Sequence, residues 1–237
     1  MTTRVPGEGL IADRGRHRPR GSATAGPVVG VLALQGDVLE NLRMLAAAGA
    51  TARPVKRADE LEGLDGILIP GGESTTMGKL ALLYGLMEPL RACISAGMPA
   101  FGTCAGAILL ASRALRFDGK PVEQPLLGIM DTVVRRNAFG RQVDSFEADL
   151  EVAGVTDEGN GGGSLHAVFI RAPWIEEHGP DVEVLAEVGT PLGARVVVAR
   201  QGHVLVSAFH PELTEDTRLH RYFVERLVRG AAAAHPG

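Results

Sequence analysis

Apolar positions along the chain change period several times, and the changes mark out its elements. Val28–Leu34 is a short β-branched and apolar run that stops at Gln35-Gly36. Asp37–Ala48 then places Val38, Leu42, Leu45 and Ala46 at helical spacing before a Gly49 stop. The succession recurs. Thr51–Val55 and Leu64–Ile69 read as strands, the second breaking at Pro70-Gly71-Gly72, and Thr75–Tyr84 and Glu88–Ala96 read as helices. Pro99–Thr103 is a predicted strand running into a helical stretch, Ala105–Leu115. Such alternation predicts an α/β domain, a mostly parallel sheet with crossover helices on both faces.

Beyond Pro125 the pattern turns to closely spaced strands. Gly128–Arg135, Gln142–Val152, His166–Arg171, Val182–Glu187, Arg195–Ala199 and Val204–Ser207 are predicted, with Gln201-Gly202 as a hairpin turn. These are expected to add antiparallel strands to the sheet. Asp157–Ser164, with its four glycines, reads as a surface loop, and Glu215–Val228 as a last amphipathic helix carrying Leu219, Phe223, Leu227 and Val228 on one side.

Composition narrows the picture. A chain of 237 residues that is 45% hydrophobic but only 4% aromatic builds its core from Ala, Val, Leu and Ile. Its longest apolar runs fall well short of the ~18–20 residues of a membrane span. Two cysteines, Cys93 and Cys104, provide neither a disulfide framework nor a zinc spacing, which points to a reducing, cytoplasmic setting. The net charge of −4 makes neither nucleic acid nor a membrane a default partner. That charge is unevenly placed: Arg4, Arg14, Arg16, Arg18 and Arg20 face only Glu8 and Asp13 in residues 1–26, so the remainder is the more acidic part. Residues 1–26 lack apolar periodicity and read as a disordered Arg/Gly/Pro-rich extension, 27–230 as one domain, and 231–237 as a short tail.

Three places carry candidate chemistry. Gly102-Thr103-Cys104-Ala105-Gly106 lies between a predicted strand and a predicted helix with the glycine spacing of a nucleophile elbow, cysteine standing where hydrolases place serine. The helix start behind it offers N–H groups to a developing oxyanion. A cysteine nucleophile needs a base and the base an orienting group; His210-Pro211-Glu212 follows a late strand and supplies both types two residues apart. Pro70-Gly71-Gly72-Glu73-Ser74-Thr75-Thr76 sits at the carboxyl end of a strand, where open α/β sheets bind ligands, and it lacks the spacing of a phosphate loop. Singly, each has an ordinary reading: a buried thiol, a surface His-x-Glu pair, and a turn capped by Ser74 or Thr75.

In this order the three resemble the class I glutamine amidotransferases, whose triad is Cys, His and Glu on a flavodoxin-like sheet. Leu34-Gln35-Gly36, the Pro70–Met77 and Gly102–Gly106 segments, Arg136–Glu147, Phe169–Pro173 and Phe209–Asp216 narrow the likeness to the glutaminase-subunit family of pyridoxal 5′-phosphate synthase. The resemblance implies Cys104 as nucleophile, His210 as general base and acid, and Glu212 as its orienting partner. It also implies Gly72, Glu73, Ser74, Arg136, Ile170 and Arg171 as glutamine contacts, Gly72 and Ala105 as oxyanion donors, and a partner or oxyanion role for Gln35. The implied reaction splits L-glutamine into glutamate and ammonia for a PdxS-like synthase subunit in a hetero-oligomer, with neither metal nor organic cofactor. The glutaminase of imidazole glycerol phosphate synthase, a non-catalytic ThiJ/PfpI-like protein and Ser74 as nucleophile are the competing readings.

Overall fold

The computed structural model describes residues 26–139 and 145–234. Most of the predicted extension, the start of the predicted strand Gln142–Val152 and residues 235–237 lie outside them. In chain order the first half runs β1 (Val28–Leu32), α1 (Val38–Ala47), β2 (Thr51–Val55), β3 (Gly66–Ile69), α2 (Ser74–Leu83), α3 (Met87–Ser95), β4 (Ala100–Thr103), α4 (Ala105–Leu110) and β5 (Ala111–Leu115). The second half is β6 (Met130–Arg135), β7 (Ser145–Leu150), β8 (Leu165–Ile170), β9 (Trp174–His178), β10 (Glu183–Thr190), β11 (Gly193–Gln201) and β12 (Val204–Ser207), closed by α5 (Arg218–Tyr222), a π-helical Phe223–Val228 and α6 (Arg229–Ala234).

The main sheet has the order β2-β1-β3-β4-β12-β11-β9-β6-β5, with β10 also paired to β11. Its first five strands are parallel, in the flavodoxin-like sequence of neighbours. β11, β9 and β10 add the antiparallel part, while β7 and β8 form a separate antiparallel pair.

Strand side chains alternate between two apolar layers, as the pleat requires. Ile67 and Ile69 of β3 face a layer built from α2, α3 and α4, with Met77, Leu90 and Leu109. Leu68, between them, faces the other layer with Val29, Val31, Phe101 and Phe223. Both faces of β3 are therefore covered, which is why Gly66–Ile69 reads as a continuous apolar run and is fully buried.

Three elements differ from the pattern reading. The helix predicted over Ala105–Leu115 stops at Leu110, and Ala111–Leu115 pairs in parallel with β6. β9 was absent from the predicted strands; it buries Trp174 and Ile175 and pairs with β6. The final helix begins later than predicted, at Arg218, and continues to Ala234, inside the span assigned to a tail. Among the described residues no helix is long and apolar enough to cross a membrane.

The helix α4 packs so tightly on β3 that its second residue has no room for a side chain. A Cβ on Gly106 would sit 2.0 Å from the Ile69 carbonyl oxygen, and backbone cannot swing away as a flexible side chain can. Gly106→Ala is therefore expected to destabilise the fold by about 1–3 kcal/mol or more. Urea unfolding should show a lower midpoint with an unchanged slope; an unchanged midpoint would contradict this packing.

Candidate active site

The parallel order brings the carboxyl ends of β1, β3, β4 and β12 side by side, so loops distant in sequence meet at one edge. A cavity of about 340 Å³ opens there, within the size range of small-molecule sites of roughly 300–1,000 Å³. Its walls come from Gln35 and Asp37 after β1, Gly72, Glu73 and Ser74 after β3, and Cys104 and Ile108 after β4. Arg136 and Asn137 after β6, Ile170 at the end of β8 with Arg171 and Pro173 beyond it, and His210 after β12 complete it.

Cys104 is buried and adopts φ 47, ψ −101, a strained conformation for a residue with a side chain. The strain is held by its N–H, which donates to the Ser207 carbonyl at 2.8 Å, and by α4 beginning immediately afterwards. Ala105 opens that helix, so its N–H belongs to the first turn that has no acceptor within the helix. Asn137 (φ 48) and Arg171 (φ 41) are the other non-glycine residues with positive φ among those described, and both line the same cavity.

His210 is 6% exposed. Its Nδ1 lies 2.8 Å from Glu212 Oε1 and 3.3 Å from Asp37 Oδ2. Carboxylates only accept, so Nδ1 carries the hydrogen and donates, which leaves Nε2 for other chemistry. Burial alone would lower the pKa of His210, but hydrogen bonds with Asp37, Cys104 and Glu212 overcome it and push the value up to about 12. The two carboxylates therefore favour the protonated form of the ring. The Glu212 side chain is fully buried, and its Oε2 has no hydrogen-bond partner among the described residues. Asp37, His210 and Glu212 offer atoms within 4.8 Å of one another, a spacing that also suits a metal ion. Here, however, Nδ1 is occupied as a donor, and a ligating nitrogen would have to give up that hydrogen.

The opposite wall is a polar clamp. Glu73 caps α2, accepting from the Thr76 N–H at 2.7 Å and the Thr76 hydroxyl at 3.0 Å. It also accepts from Arg136 at 2.7 Å. Burial works against the Glu73 charge, yet the Thr76 and Thr75 hydrogen bonds and the Arg136 guanidinium hold its carboxyl below the ordinary range. Arg136 reaches on to Thr75 at 3.0 Å and Gln124 at 2.9 Å, and Gln124 also accepts from Ser74 at 3.3 Å. Gln35 accepts from the Glu73 N–H at 2.7 Å and so holds the β3 loop. Ile170 and Arg171 lie at the exposed rim, and Arg171 makes no ion pair among the described residues.

The few aromatic residues support this edge. Phe139, Phe146, Phe169, Trp174 and Phe209 form a chain of ring contacts, with centroids 4.4–5.7 Å apart. Phe139 anchors the loop of Arg136, Phe169 that of Arg171, and Phe209 that of His210. Backbone bonds from Ala138 to the Ala172 carbonyl and from His210 to the Val168 carbonyl, each 2.9 Å, tie the same loops together.

All the residues singled out in the sequence thus gather at one cavity or, for Glu212 and Ala105, directly behind it. Asp37, Asn137 and Gln124 were not singled out. Asp37 and Gln124 have no local motif; only Asn137, inside the Arg136–Glu147 segment, had a sequence signal.

Comparison with known proteins gives three consistent findings. The model of the SNO glutamine amidotransferase family matches residues 31–229. The pyridoxal 5′-phosphate synthase subunit PdxT of Acidothermus cellulolyticus is 62% identical over 206 residues, covering 86% of this chain and 96% of that protein. PdxT of a Parafrankia species is 58% identical, with 84% and 92% covered. Among solved structures, a glutamine amidotransferase crystal structure superposes with a TM-score of 0.75 at 51% identity, covering 85% of this chain and 98% of the other. PurLQS from Thermotoga maritima, at 14% identity and a TM-score of 0.58, shares the fold.

Proposed function

The chain belongs to the SNO glutamine amidotransferase family, and from that premise we propose that Cys104, His210 and Glu212 are the triad of its glutaminase site. The reaction is hydrolysis of L-glutamine to L-glutamate and ammonia, with the ammonia delivered to the synthesis of pyridoxal 5′-phosphate. The observation that carries the residue assignment is the strained Cys104 elbow facing a buried imidazole whose far nitrogen is held by a buried carboxylate.

The Cys104 sulfur, passing its proton to His210, attacks the side-chain carboxamide carbon of glutamine. The tetrahedral oxyanion forms next to the N–H groups of Gly72 and Ala105. His210 gives its proton to the departing nitrogen, and ammonia leaves a γ-glutamyl thioester on Cys104. Neutral His210 then takes a proton from water, whose oxygen attacks the thioester carbon and releases glutamate. Glu212 fixes the ring and the tautomer throughout.

Recognition follows from the remaining walls. The exposed Arg171 guanidinium suits the substrate α-carboxylate, and the Ile170 carbonyl its ammonium group. Glu73 and Ser74 lie along the carboxamide path, and Arg136 keeps that loop in place through Glu73. Ammonia released into bulk water would be protonated, so the site needs a synthase subunit of the PdxS type docked over it. We place this complex in the cytoplasm, in keeping with two unpaired cysteines.

The test is to mix the chain with a PdxS-like synthase and measure glutamate release. Turnover should be low for the isolated chain and rise strongly on mixing, because the docked partner is expected to order the Gly71-Gly72 loop for the oxyanion. Equal rates with and without the synthase would overturn the partner assignment.

A further inference from the structure

Asp37 is the N-cap residue of α1, a position where aspartate ordinarily accepts a first-turn N–H, but its side chain makes no such bond. The carboxylate turns instead toward the base, with Oδ2 3.3 Å from His210 Nδ1. Its backbone is fixed from the other side. Buried His220 bonds through Nε2 to Asn41 Oδ1 at 3.1 Å, and Asn41 donates to the Asp37 carbonyl at 2.8 Å. The Asp37 N–H donates to the Gly71 carbonyl at 3.3 Å. Gly71 leaves room for the assembly, since a Cβ there would meet His210 Cε1 at 2.4 Å and Asp37 Oδ2 at 3.0 Å.

We propose that Asp37 is a positioning residue for the glutaminase reaction, a second carboxylate that shares the His210 Nδ1–H with Glu212 and stabilises the imidazolium. The inference rests on the triad assignment and adds a fourth residue to it.

The groups facing His210 come from three directions: Asp37 at the start of α1, Cys104 at the β4 elbow and Glu212 after β12. The β3 loop brings Gly71 backbone against the ring and places the Glu73 carboxylate in the same cavity, which Arg136 and Arg171 also line from the ends of β6 and β8. Once the thioester forms, the Cys104 sulfur can carry no charge beside the ring. Asp37 and Glu212 then remain as its anionic partners. Asp37 is the accessible one, with 36% of its side chain exposed against none for Glu212.

The experiment follows the His210 ring by NMR of histidine-labelled chain from neutral pH up to pH 12, so that the alkaline titration itself is covered, in the wild type, Asp37→Asn and Asp37→Ser. Both variants remove the charge and keep a side chain able to cap α1. His220, buried and lowered to about 3 by desolvation, is a fixed internal reference whose unchanged signal reports an intact fold. In the wild type His210 should remain protonated well into the alkaline range. In both variants its titration should move down by about one unit, a tenfold change in the protonation equilibrium. The alkaline limb of kcat/KM for glutamate release by the full complex should move in parallel. Identical His210 titration in all three proteins would overturn the proposal while leaving the triad untouched; loss of glutamate release in the wild-type complex would instead remove the triad reading.

Discussion

Cys104→Ala is expected to abolish glutamine hydrolysis even with the synthase present, by on the order of a million-fold in kcat, the scale on which a covalent mechanism fails when its nucleophile is removed. The substitution is structurally mild. Alanine fits wherever cysteine does, and what is lost is one sulfur atom in a buried position. The strained φ of 47 would persist, because it is imposed by the Ser207 hydrogen bond and the close packing of α4 on β3. Glutamine binding at the Arg171 and Glu73 walls should survive, so isothermal titration should still detect substrate where turnover is absent. Retained turnover would end the assignment of Cys104, and Ser74, which faces Gln124, would have to be reconsidered.

His210→Asn is expected to lower the acylation rate by roughly 10²–10⁴-fold while leaving glutamine affinity nearly unchanged. Two losses combine: the sulfur no longer faces an imidazolium, and the departing nitrogen has no proton donor. The variant also strands Glu212, a fully buried carboxylate with one oxygen that has no hydrogen-bond partner among the described residues. An asparagine amide can still donate to Oε1, which is why it is preferable to alanine here. Stopped-flow measurement of the first turnover separates this loss from slow thioester hydrolysis; an unchanged acylation rate would remove His210 from the mechanism.

Much of the site was legible because its chemistry is local in the chain. The elbow needs Gly106 within two residues of Cys104, and the base and its carboxylate are two residues apart at His210 and Glu212, so the pattern survives without a fold. Asp37 is the opposite case. It reaches His210 only because β1 and β12 end on the same edge of the sheet, and as a lone acidic residue before a helix it reads as an ordinary cap. The dense arginine clamp around Gln124 is likewise a product of tertiary approach.

The fold was legible where both faces of a strand are buried or where periodicity is strong, as in β3 and α1. It was misread at Ala111–Leu115, whose Ala, Arg and Leu favour helix in isolation. There the parallel pairing with β6 prevails over propensity. β9 was missed because Trp174 and Ile175 are followed by Glu176, Glu177 and His178, too short an apolar signal to register without its partner strand.

Covalent chemistry at one sulfur is the core of the proposed reaction. A glutamine analogue bearing an electrophile in place of the carboxamide, applied to the chain with its synthase and followed by peptide mass mapping, should modify Cys104 once and leave Cys93 unmodified, and excess glutamine should protect. Absence of label on Cys104, or equal labelling of Cys93, would contradict it.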